Sequence, residues 1–415
     1  MVVLLIGFSI YYGGVSNAPL LFIFALTAII AVMTTRGASL KERVAIFSSG
    51  AGSNNLLLMV WIFMFAGAFA ASAKQMGAAD AMVDLTLRLL PAHFALVGLF
   101  FAACITSLCM GTSVGTIVAL IPIAAGIAER TEMAMPLVAA AVVGGAFFGD
   151  NLSFISDTTI VATQTQGCKL SDKFRFNVRM VLPVAIVAGI IYVVLGSGAA
   201  EIAVGEQVSW WKVIPYLTVL VCAACGMNVL TVLVIGNLLT CSTGVFDGSY
   251  DMMGWINSTL QGIMGMSELI LISMLAGGIF ALISYNGGLA FVVNSIIRRA
   301  KTRAGAELRI CVLVAFANIC TANNTIAILS VGDIARRVSE EFDIDPRRSA
   351  SLLDTTSCCV QGLLPYGAQL LMASGLAGIS AMSIVPYLFY PFLLGIAVLA
   401  TIAIRSRKRE SKNHS

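Results

Sequence analysis

Residues 149–159 read Gly149-Asp150-Asn151-Leu152-Ser153-Phe154-Ile155-Ser156-Asp157-Thr158-Thr159 and hold two carboxylates and five neutral oxygen-bearing side chains. The flanking segments 139–148 and 160–161 are apolar. Polar groups are costly inside a bilayer, so such a cluster in an apolar segment is a candidate functional site. The glycines Gly144, Gly145 and Gly149 favour a broken helix whose freed carbonyls can bind a cation. The alternative is a solvated loop outside the membrane.

The composition of the whole chain is typical of a membrane protein. Hydrophobic residues make up 59% of the 415 residues, and charged residues only 11%. Soluble domains carry roughly 25% charged residues, so a water-soluble fold is excluded. Apolar stretches of about 20 residues, enough to cross a bilayer, recur along the chain. The clearest are 18–35, 53–73, 180–198 and 382–404, which predicts an all-α polytopic membrane protein.

The basic residues predict the orientation of the chain, because Lys and Arg concentrate in cytoplasmic loops. We place four basic clusters, and with them the C-terminus, in the cytoplasm: Arg36-Lys41-Arg43, Lys169-Lys173-Arg175-Arg179, Arg298-Arg299-Lys301-Arg303 and Arg405-Arg407-Lys408-Arg409. The segment 201–212 lacks such an excess and is placed outside. The expected location is a bacterial cytoplasmic (inner) membrane, where the basic tail can contact anionic lipids.

Five residues of the first half recur in the second half at a constant offset of 211 residues. They are Gly67, Phe69, Ala70, Gly77 and Ala79, which return as Gly278, Phe280, Ala281, Gly288 and Ala290. A constant offset indicates an internal repeat. We therefore predict two repeats, at 1–200 and 210–415, each with about five transmembrane helices, a re-entrant hairpin and a broken helix. Short helices along the membrane surface are expected at 77–90 and 288–300.

The repeats and the charge map together predict an inverted topology. The hairpins fall at 92–130 and 308–337, and the broken helices at 134–166 and 347–376. The first hairpin enters from outside and the second from the cytoplasm. This is the plan of secondary transporters, whose binding site lies at the repeat interface near the midplane.

The second broken helix and the hairpin tips add further candidate site residues. The second crossing carries Asp354 and Gln361, and Pro365 breaks its helix. The repeat offset aligns Asp150 with Gln361, so the two halves differ chemically. The candidates at the tips are Thr112, Ser113 and Thr116 in the first hairpin and Asn323, Asn324 and Thr325 in the second. The alternative for the tips is ordinary helix-turn chemistry.

Several classes of function find no support in the sequence. The two histidines, His93 and His414, exclude a histidine-built metal centre, and cysteines in apolar runs indicate helix packing. No nucleophile and base pair or phosphate-binding loop is present, so we expect neither enzyme activity nor a cofactor. Nucleic-acid binding has no support either. The oligomeric state stays open, and a homodimer is compatible with the sequence.

The motif residues resemble a known family. Gly145-Ala146-Phe147-Phe148-Gly149-Asp150, with Ser153 and Ser156-Asp157-Thr158-Thr159, is similar to the signature of the NhaC-type Na⁺/H⁺ antiporter family of the ion-transporter superfamily. Gly111-Thr112-Ser113, Pro122-Ile123-Ala124, Asp354 and Leu364-Pro365 also match, and the resemblance covers about residues 50 to 400. It implies two inverted repeats with paired hairpins. It also implies transport of Na⁺ and H⁺, of carboxylates such as malate and lactate, or of amino acids. Phe154 and Tyr366 depart from the proline and tryptophan that are usual in the family.

The first functional hypothesis is exchange of Na⁺ for H⁺. Hard cations prefer oxygen ligands, so Asp150 and Asp157 are the candidate Na⁺ ligands. The surrounding candidates are Asn151, Ser153, Ser156, Thr158 and Thr159. Burial disfavours a charged carboxylate, so a buried aspartate can hold a proton until Na⁺ displaces it. Competition of the two cations for buried aspartates then gives exchange.

The second hypothesis is transport of a small organic acid or amino acid coupled to Na⁺ or H⁺. We find no Lys or Arg in the middle of a predicted crossing to pair with a substrate carboxylate. Helix N-termini at the hairpin tips could bind a carboxylate instead. The sequence thus favours Na⁺/H⁺ exchange and leaves the organic substrate as the alternative.

Overall fold

A computed structural model describes residues 19–154, 156–198, 209–288, 291 and 302–413, and this part of the chain contains helices but no strands. Within it, nine helices are long and apolar enough to cross a membrane, or ten if a bent pair is one span. The prediction of an all-α polytopic membrane protein is confirmed. The predicted helix at 288–300, most of the third basic cluster and most of the predicted outside segment 201–212 lie outside the described residues.

The described α-helices are, in chain order, α1 (Leu20–Thr34), α2 (Leu40–Ala51), α3 (Asn54–Gln75), α4 (Ala78–Leu89), α5 (Ala92–Met110), α6 (Ser113–Thr131), α7 (Met135–Leu152), α8 (Asp157–Gln166), α9 (Leu170–Gly196), α10 (Trp210–Ala224), α11 (Val229–Phe246), α12 (Met252–Gly265), α13 (Ser267–Tyr285), α14 (Arg303–Thr321), α15 (Asn324–Glu341), α16 (Pro346–Leu363), α17 (Ala368–Ala377), α18 (Ala381–Ile384) and α19 (Phe389–Asn413).

Two pairs of helices joined by tight turns and two interrupted helices lie in the segments for which the sequence predicts hairpins and broken helices. That the hairpins are re-entrant in the membrane stays a prediction. Helices α5 and α6 form the first hairpin, whose tip turns at Gly111 with φ of 69°. Helices α14 and α15 form the second, which turns at Ala322 with φ of 50°. The first broken helix consists of α7 and α8, and the second of α16 and α17. Pro365 lies in the second break, as its missing backbone donor predicts.

Two predicted segments differ in the structure, one in its conformation and one in where it begins. The basic segment 169–179 is helical rather than a loop, because α9 already begins at Leu170. On this helix Arg175 and Arg179 are exposed, whereas Lys173 is buried. The last predicted span, 382–404, starts only at Phe389, because α18 and a 3-10 turn at Val385–Tyr387 bend the chain before it.

The helices around the breaks interlock the two halves. Helix α7 packs against both arms of the first hairpin, and α16 against both arms of the second. The second arm of each hairpin also packs against the other broken helix, α6 on α17 and α15 on α8. This arrangement brings both tips and both breaks to one place.

One hydrogen bond recurs in both halves at the offset of the sequence repeat. Ser107 Oγ donates to the carbonyl of Ala146 at 2.6 Å. Asn318 Nδ2 donates to the carbonyl of Ser357 at 2.6 Å. Both residues of the second bond lie 211 positions after their counterparts. This recurrence supports an internal repeat, while the repeat boundaries and the inverted orientation of the halves stay predictions.

Small residues let α5 and α7 approach closely. A Cβ on Gly145 would collide with the carbonyl of Phe100 and would lie 2.7 Å from the Cβ of Ala103. A Cβ on Gly149 would collide with Ser107. In a membrane, where lipid is as apolar as leucine, such close packing and interhelical hydrogen bonds drive helix association.

We expect Gly145→Ala to lower the melting temperature of the detergent-solubilised protein. The added methyl group would push α5 and α7 apart, at a cost of roughly 1–3 kcal/mol for overpacking. Size-exclusion chromatography after stepwise heating measures the loss of folded protein. Gly265→Ala is the matched control, because a Cβ there meets no atom within 4 Å. Equal melting temperatures of the two variants would contradict the close approach.

The predicted orientation is testable at two exposed residues, Ala134 at the start of α7 and Arg175 on α9. We expect Ala134→Cys to react with a membrane-impermeant maleimide in intact cells, and Arg175→Cys only after permeabilisation. Labelling is compared with a parent in which the exposed Cys225 is replaced by serine. A reversed pattern would overturn the orientation, and labelling of both residues from one side would overturn the crossing between them.

Candidate functional site

The two hairpin tips and the two helix breaks surround a cavity of about 270 Å³. The predicted site residues that line it are Thr112, Ser113, Asp150, Ser156, Asp157, Thr158, Asn323, Asn324, Thr325 and Gln361. Gln369, just after the second break, also lines it and was missed by the sequence analysis. Helix α3 contributes an apolar wall of Leu58, Met59 and Ile62. The cavity thus brings together candidates that lie more than 200 residues apart in the chain.

Four helices begin at the cavity wall. The N-cap residues are Thr112 for α6, Ser156 for α8, Asn323 for α15 and Gly367 for α17, and residues from each first turn line the cavity. A helix N-terminus carries a partial positive charge. The four termini therefore favour negative charge in the cavity, whether on an aspartate or on a ligand.

Asp150 is the buried carboxylate of the cavity, with 4% of its surface exposed. Its Oδ1 atom accepts a hydrogen bond from the backbone N–H of Ser113 at 3.1 Å. The hydroxyl of Ser156 lies 3.5 Å from the same oxygen. A carboxylate has about four lone-pair sites, so Asp150 keeps acceptor capacity for a cation. The first hairpin tip thus holds this carboxylate at the first helix break.

Asp157 lies in a different environment from Asp150. It lines the same cavity in the first turn of α8 but is exposed. The expectation that both aspartates are buried is therefore wrong for Asp157. The reason is the helix break. Asp157 is the first residue of α8, where the new helix begins at the cavity wall, and its side chain is exposed there.

Three predicted residues, Asn151, Thr159 and Asp354, take part in a second polar cluster that does not line the cavity. Its centre is Lys173, whose ammonium lies 2.6 Å from Asp354 Oδ2. The ammonium also donates to Thr159 Oγ1 at 2.6 Å and to the carbonyl of Asn151 at 3.0 Å. Asn177 Nδ2 completes the cluster with bonds to the Asn151 carbonyl at 3.1 Å and to Asp354 Oδ2 at 3.3 Å.

This cluster contains a buried lysine where the sequence predicts a basic loop. Lys173 lies in the first turn of α9, and its partner is Asp354 rather than a substrate carboxylate. Lys173 is only 1% exposed and Asp354 is fully buried. The signal that could have revealed Lys173 is helical spacing. Lys173, Asn177, Val181 and Ala185 follow one another at intervals of four and share the buried face of α9.

The remaining two candidates, Ser153 and Thr116, do not line the cavity. Ser153 caps the end of α7, and its N–H donates to the carbonyl of Gly149 at 2.7 Å. Thr116 Oγ1 donates to the carbonyl of Thr112 at 3.1 Å within α6. For Thr116, the geometry agrees with the alternative of ordinary helix-turn chemistry.

A chain of neutral amides connects the two hairpin tips. Gln369 Nε2 donates to Ser113 Oγ at 3.0 Å, and Gln361 Nε2 donates to Gln369 Oε1 at 2.9 Å. Gln361 Nε2 also donates to the carbonyl of Ala322 at the second tip, at 2.9 Å. The first half therefore supplies carboxylates to the cavity, whereas the second half supplies amides.

The cavity offers oxygen ligands to a cation. Among the described residues, no three His, Cys, Asp or Glu side chains come together as ligands of a tightly bound metal. The cavity instead offers the carboxylates of Asp150 and Asp157 with the hydroxyls of Ser156 and Thr158. Such hard oxygen ligands suit Na⁺, by analogy with other hard cations.

Comparison with known proteins identifies the family. The chain is 22% identical to the malate-2H⁺/Na⁺-lactate antiporter of Bacillus subtilis, over 84% of this chain and 81% of that protein. It is 24% identical to the Na⁺/H⁺ antiporter NhaC of Alkalihalophilus pseudofirmus, over 68% and 67% of the two chains. It is also 24% identical to the arginine/ornithine antiporter ArcD of Halobacterium salinarum, over 66% and 64%. Residues 1–197 and 200–405 match the family model described as the Na⁺/H⁺ antiporter family. Since this match covers nearly the whole chain, the protein belongs to the Na⁺/H⁺ antiporter family.

Proposed function

We propose that this protein exchanges Na⁺ for H⁺ across the cytoplasmic membrane, with Asp150 as the site for which the two cations compete. The observation that carries the proposal is a buried carboxylate that faces a polar cavity between two hairpin tips. Membership of the Na⁺/H⁺ antiporter family supports a secondary transporter rather than an enzyme. The exchanged ions need no cofactor.

The mechanism follows from the cost of burying a charge. An isolated carboxylate is unfavourable in a protein interior, so Asp150 needs a proton or a metal cation when the cavity is closed. The N–H of Ser113 and the N-terminus of α6 partly compensate the charge, so the proton can leave. Na⁺ then takes its place with the hydroxyls of Ser156 and Thr158 and the carboxylate of Asp157 as further ligands. Because Na⁺ and H⁺ share one site, each conformational change of the transporter carries either Na⁺ or H⁺ across the membrane.

Neighbouring cavities support access from the cytoplasmic side. A cavity of about 420 Å³ shares Met59, Ala322, Asn323 and Ala368 with the site. It extends past Gly50 to Ser284, near the end of α13 that the basic clusters place in the cytoplasm. We infer an inward-open conformation, in which movement of the hairpins against α3 would open the opposite side.

We expect Asp150→Asn to abolish Na⁺-driven proton movement in proteoliposomes while the protein stays folded, because asparagine keeps the shape but loses the charge. Asp157→Asn should weaken the apparent Na⁺ affinity only about tenfold, or ~1.4 kcal/mol, because its charge is exposed and screened. A fluorescent pH indicator inside the vesicles measures the exchange. Asp343→Asn is the control, since that side chain is 99% exposed. Wild-type exchange in Asp150→Asn would contradict the proposal.

Competition also predicts the pH dependence of Na⁺ binding. Lowering the pH protonates Asp150 and should therefore weaken the apparent Na⁺ affinity. Below the pH at which the site titrates, each pH unit should cost about tenfold per displaced proton, or ~1.4 kcal/mol. Calorimetry in detergent from mildly acidic to mildly alkaline pH measures this slope, and Asp150→Asn should bind no Na⁺ throughout. An affinity that stays constant across the range would exclude competition.

The four helix N-termini favour a second candidate function, the transport of a small carboxylate or amino acid coupled to Na⁺ or H⁺. Their partial positive charges can bind a carboxylate, and the adjoining cavity of about 420 Å³ has a largely apolar lining that could accept its hydrocarbon part. Two relatives are named for malate with lactate and for arginine with ornithine. Proteoliposomes tested with cations, malate, lactate and amino acids separate the two functions. Na⁺ binding that requires one of these organic compounds would favour the second.

A further inference from the structure

The buried ammonium of Lys173 takes no part in the Na⁺/H⁺ exchange proposed at Asp150. It lies at the same helix break, behind the cavity wall, and the groups that it contacts are all oxygens. They are the carboxylate of Asp354, the hydroxyl of Thr159 and the backbone carbonyl of Asn151. These are the three kinds of oxygen that also ligate Na⁺ and other hard cations.

We propose that this cluster is a second Na⁺-type cation site and that the ammonium of Lys173 is a tethered cation that occupies it. The protein with Lys173 then binds one exchangeable Na⁺, at Asp150, instead of two. The inference rests on the proposed function in one respect, since it takes Na⁺ as the cation that the helix break accepts.

A second buried ion pair among the described residues shows what distinguishes this cluster. Arg348 donates to Glu307 Oε2 at 3.0 and 3.1 Å and to Thr401 Oγ1 at 3.0 Å. All these partners are side chains on continuous helices. The partners of Lys173 include a carbonyl in the last turn of α7, which has no helical partner because the helix ends at Leu152. A carbonyl released by a broken helix is a feature of cation sites in transporters.

Two further observations support a site rather than a simple ion pair. Asn177 Oδ1 is buried and has no hydrogen-bond partner among the described residues, so one more oxygen is available next to Asp354. Thr159 also connects the cluster to the cavity, because its hydroxyl donates to the carbonyl of Asp150 at 3.3 Å while accepting from Lys173. Occupancy of the cluster therefore affects the backbone of the residue that exchanges Na⁺ for H⁺.

The test counts bound Na⁺ with radioactive Na⁺ at saturation, at alkaline pH, in purified protein. Wild type should bind one Na⁺, Asp150→Asn none, Lys173→Ala two, and Asp150→Asn with Lys173→Ala one. Adding Asp354→Asn to this double variant should abolish binding again. Arg348→Ala is the matched control, because it removes another buried cation of the described residues and should leave the count at one. A folded Lys173→Ala protein that binds no more Na⁺ than wild type would overturn the inference.

The same set separates this inference from the proposed function. If Asp150→Asn binds as much Na⁺ as wild type, the proposed exchange at Asp150 is wrong. The number of Na⁺ gained by Lys173→Ala relative to wild type still tests the inference about the Lys173 cluster. If Lys173→Ala does not stay folded without Na⁺, its melting temperature is followed as choline is replaced by Na⁺. The proposal predicts that Na⁺ raises the melting temperature of Lys173→Ala but not that of Arg348→Ala. No recovery of Lys173→Ala at any Na⁺ concentration would overturn it.

Discussion

A backbone that leaves the helical conformation inside a membrane must have its polar groups satisfied by other parts of the protein. In this protein, the two hairpin tips and the two helix breaks leave backbone polar groups without helical partners, and side chains from distant elements form hydrogen bonds with some of them. Asp150 accepts from the N–H of Ser113 at the first tip, and Gln361 donates to the carbonyl of Ala322 at the second. Lys173 and Asn177 donate to the carbonyl of Asn151 at the first break. Some of the polar groups that satisfy the interrupted backbone, Asp150 and Gln361 among them, thus also line the candidate site.

The two halves meet this demand with different chemistry. Asp150 and Gln361 lie 211 residues apart, at the offset of the repeat, and each bonds to the tip of its own hairpin. A carboxylate in the first half and an amide in the second give the cavity one buried negative charge that must be neutralised. One such charge is enough for two cations to compete, and the neutral amides connect the second hairpin to the same place.

The first break also joins two charged clusters through one side chain. The hydroxyl of Thr159 lies between Lys173 and the backbone of Asp150. Breaking a buried ion pair by removing one partner typically costs 3–5 kcal/mol, because the other charge is left unpaired. Asp354, which the sequence suggested as a weaker counterpart of Asp150, therefore has a different role as the partner of Lys173. Its neutralisation should affect folding as well as transport.

The sequence by itself determined the membrane class, and it predicted the hairpins, the two breaks and Asp150 as a candidate site residue. These depend on local properties, namely apolar length, the helix-breaking effect of glycine and proline, and the cost of an aspartate in an apolar segment. Only the tertiary structure decided that Asp157 is exposed, that Gln369 lines the cavity and that Lys173 pairs with Asp354. A buried lysine needs a partner that compensates its charge, and the partner of Lys173 is Asp354, 181 residues later in the chain. No local pattern can reveal such a contact, because it forms only when α9 and α16 pack together.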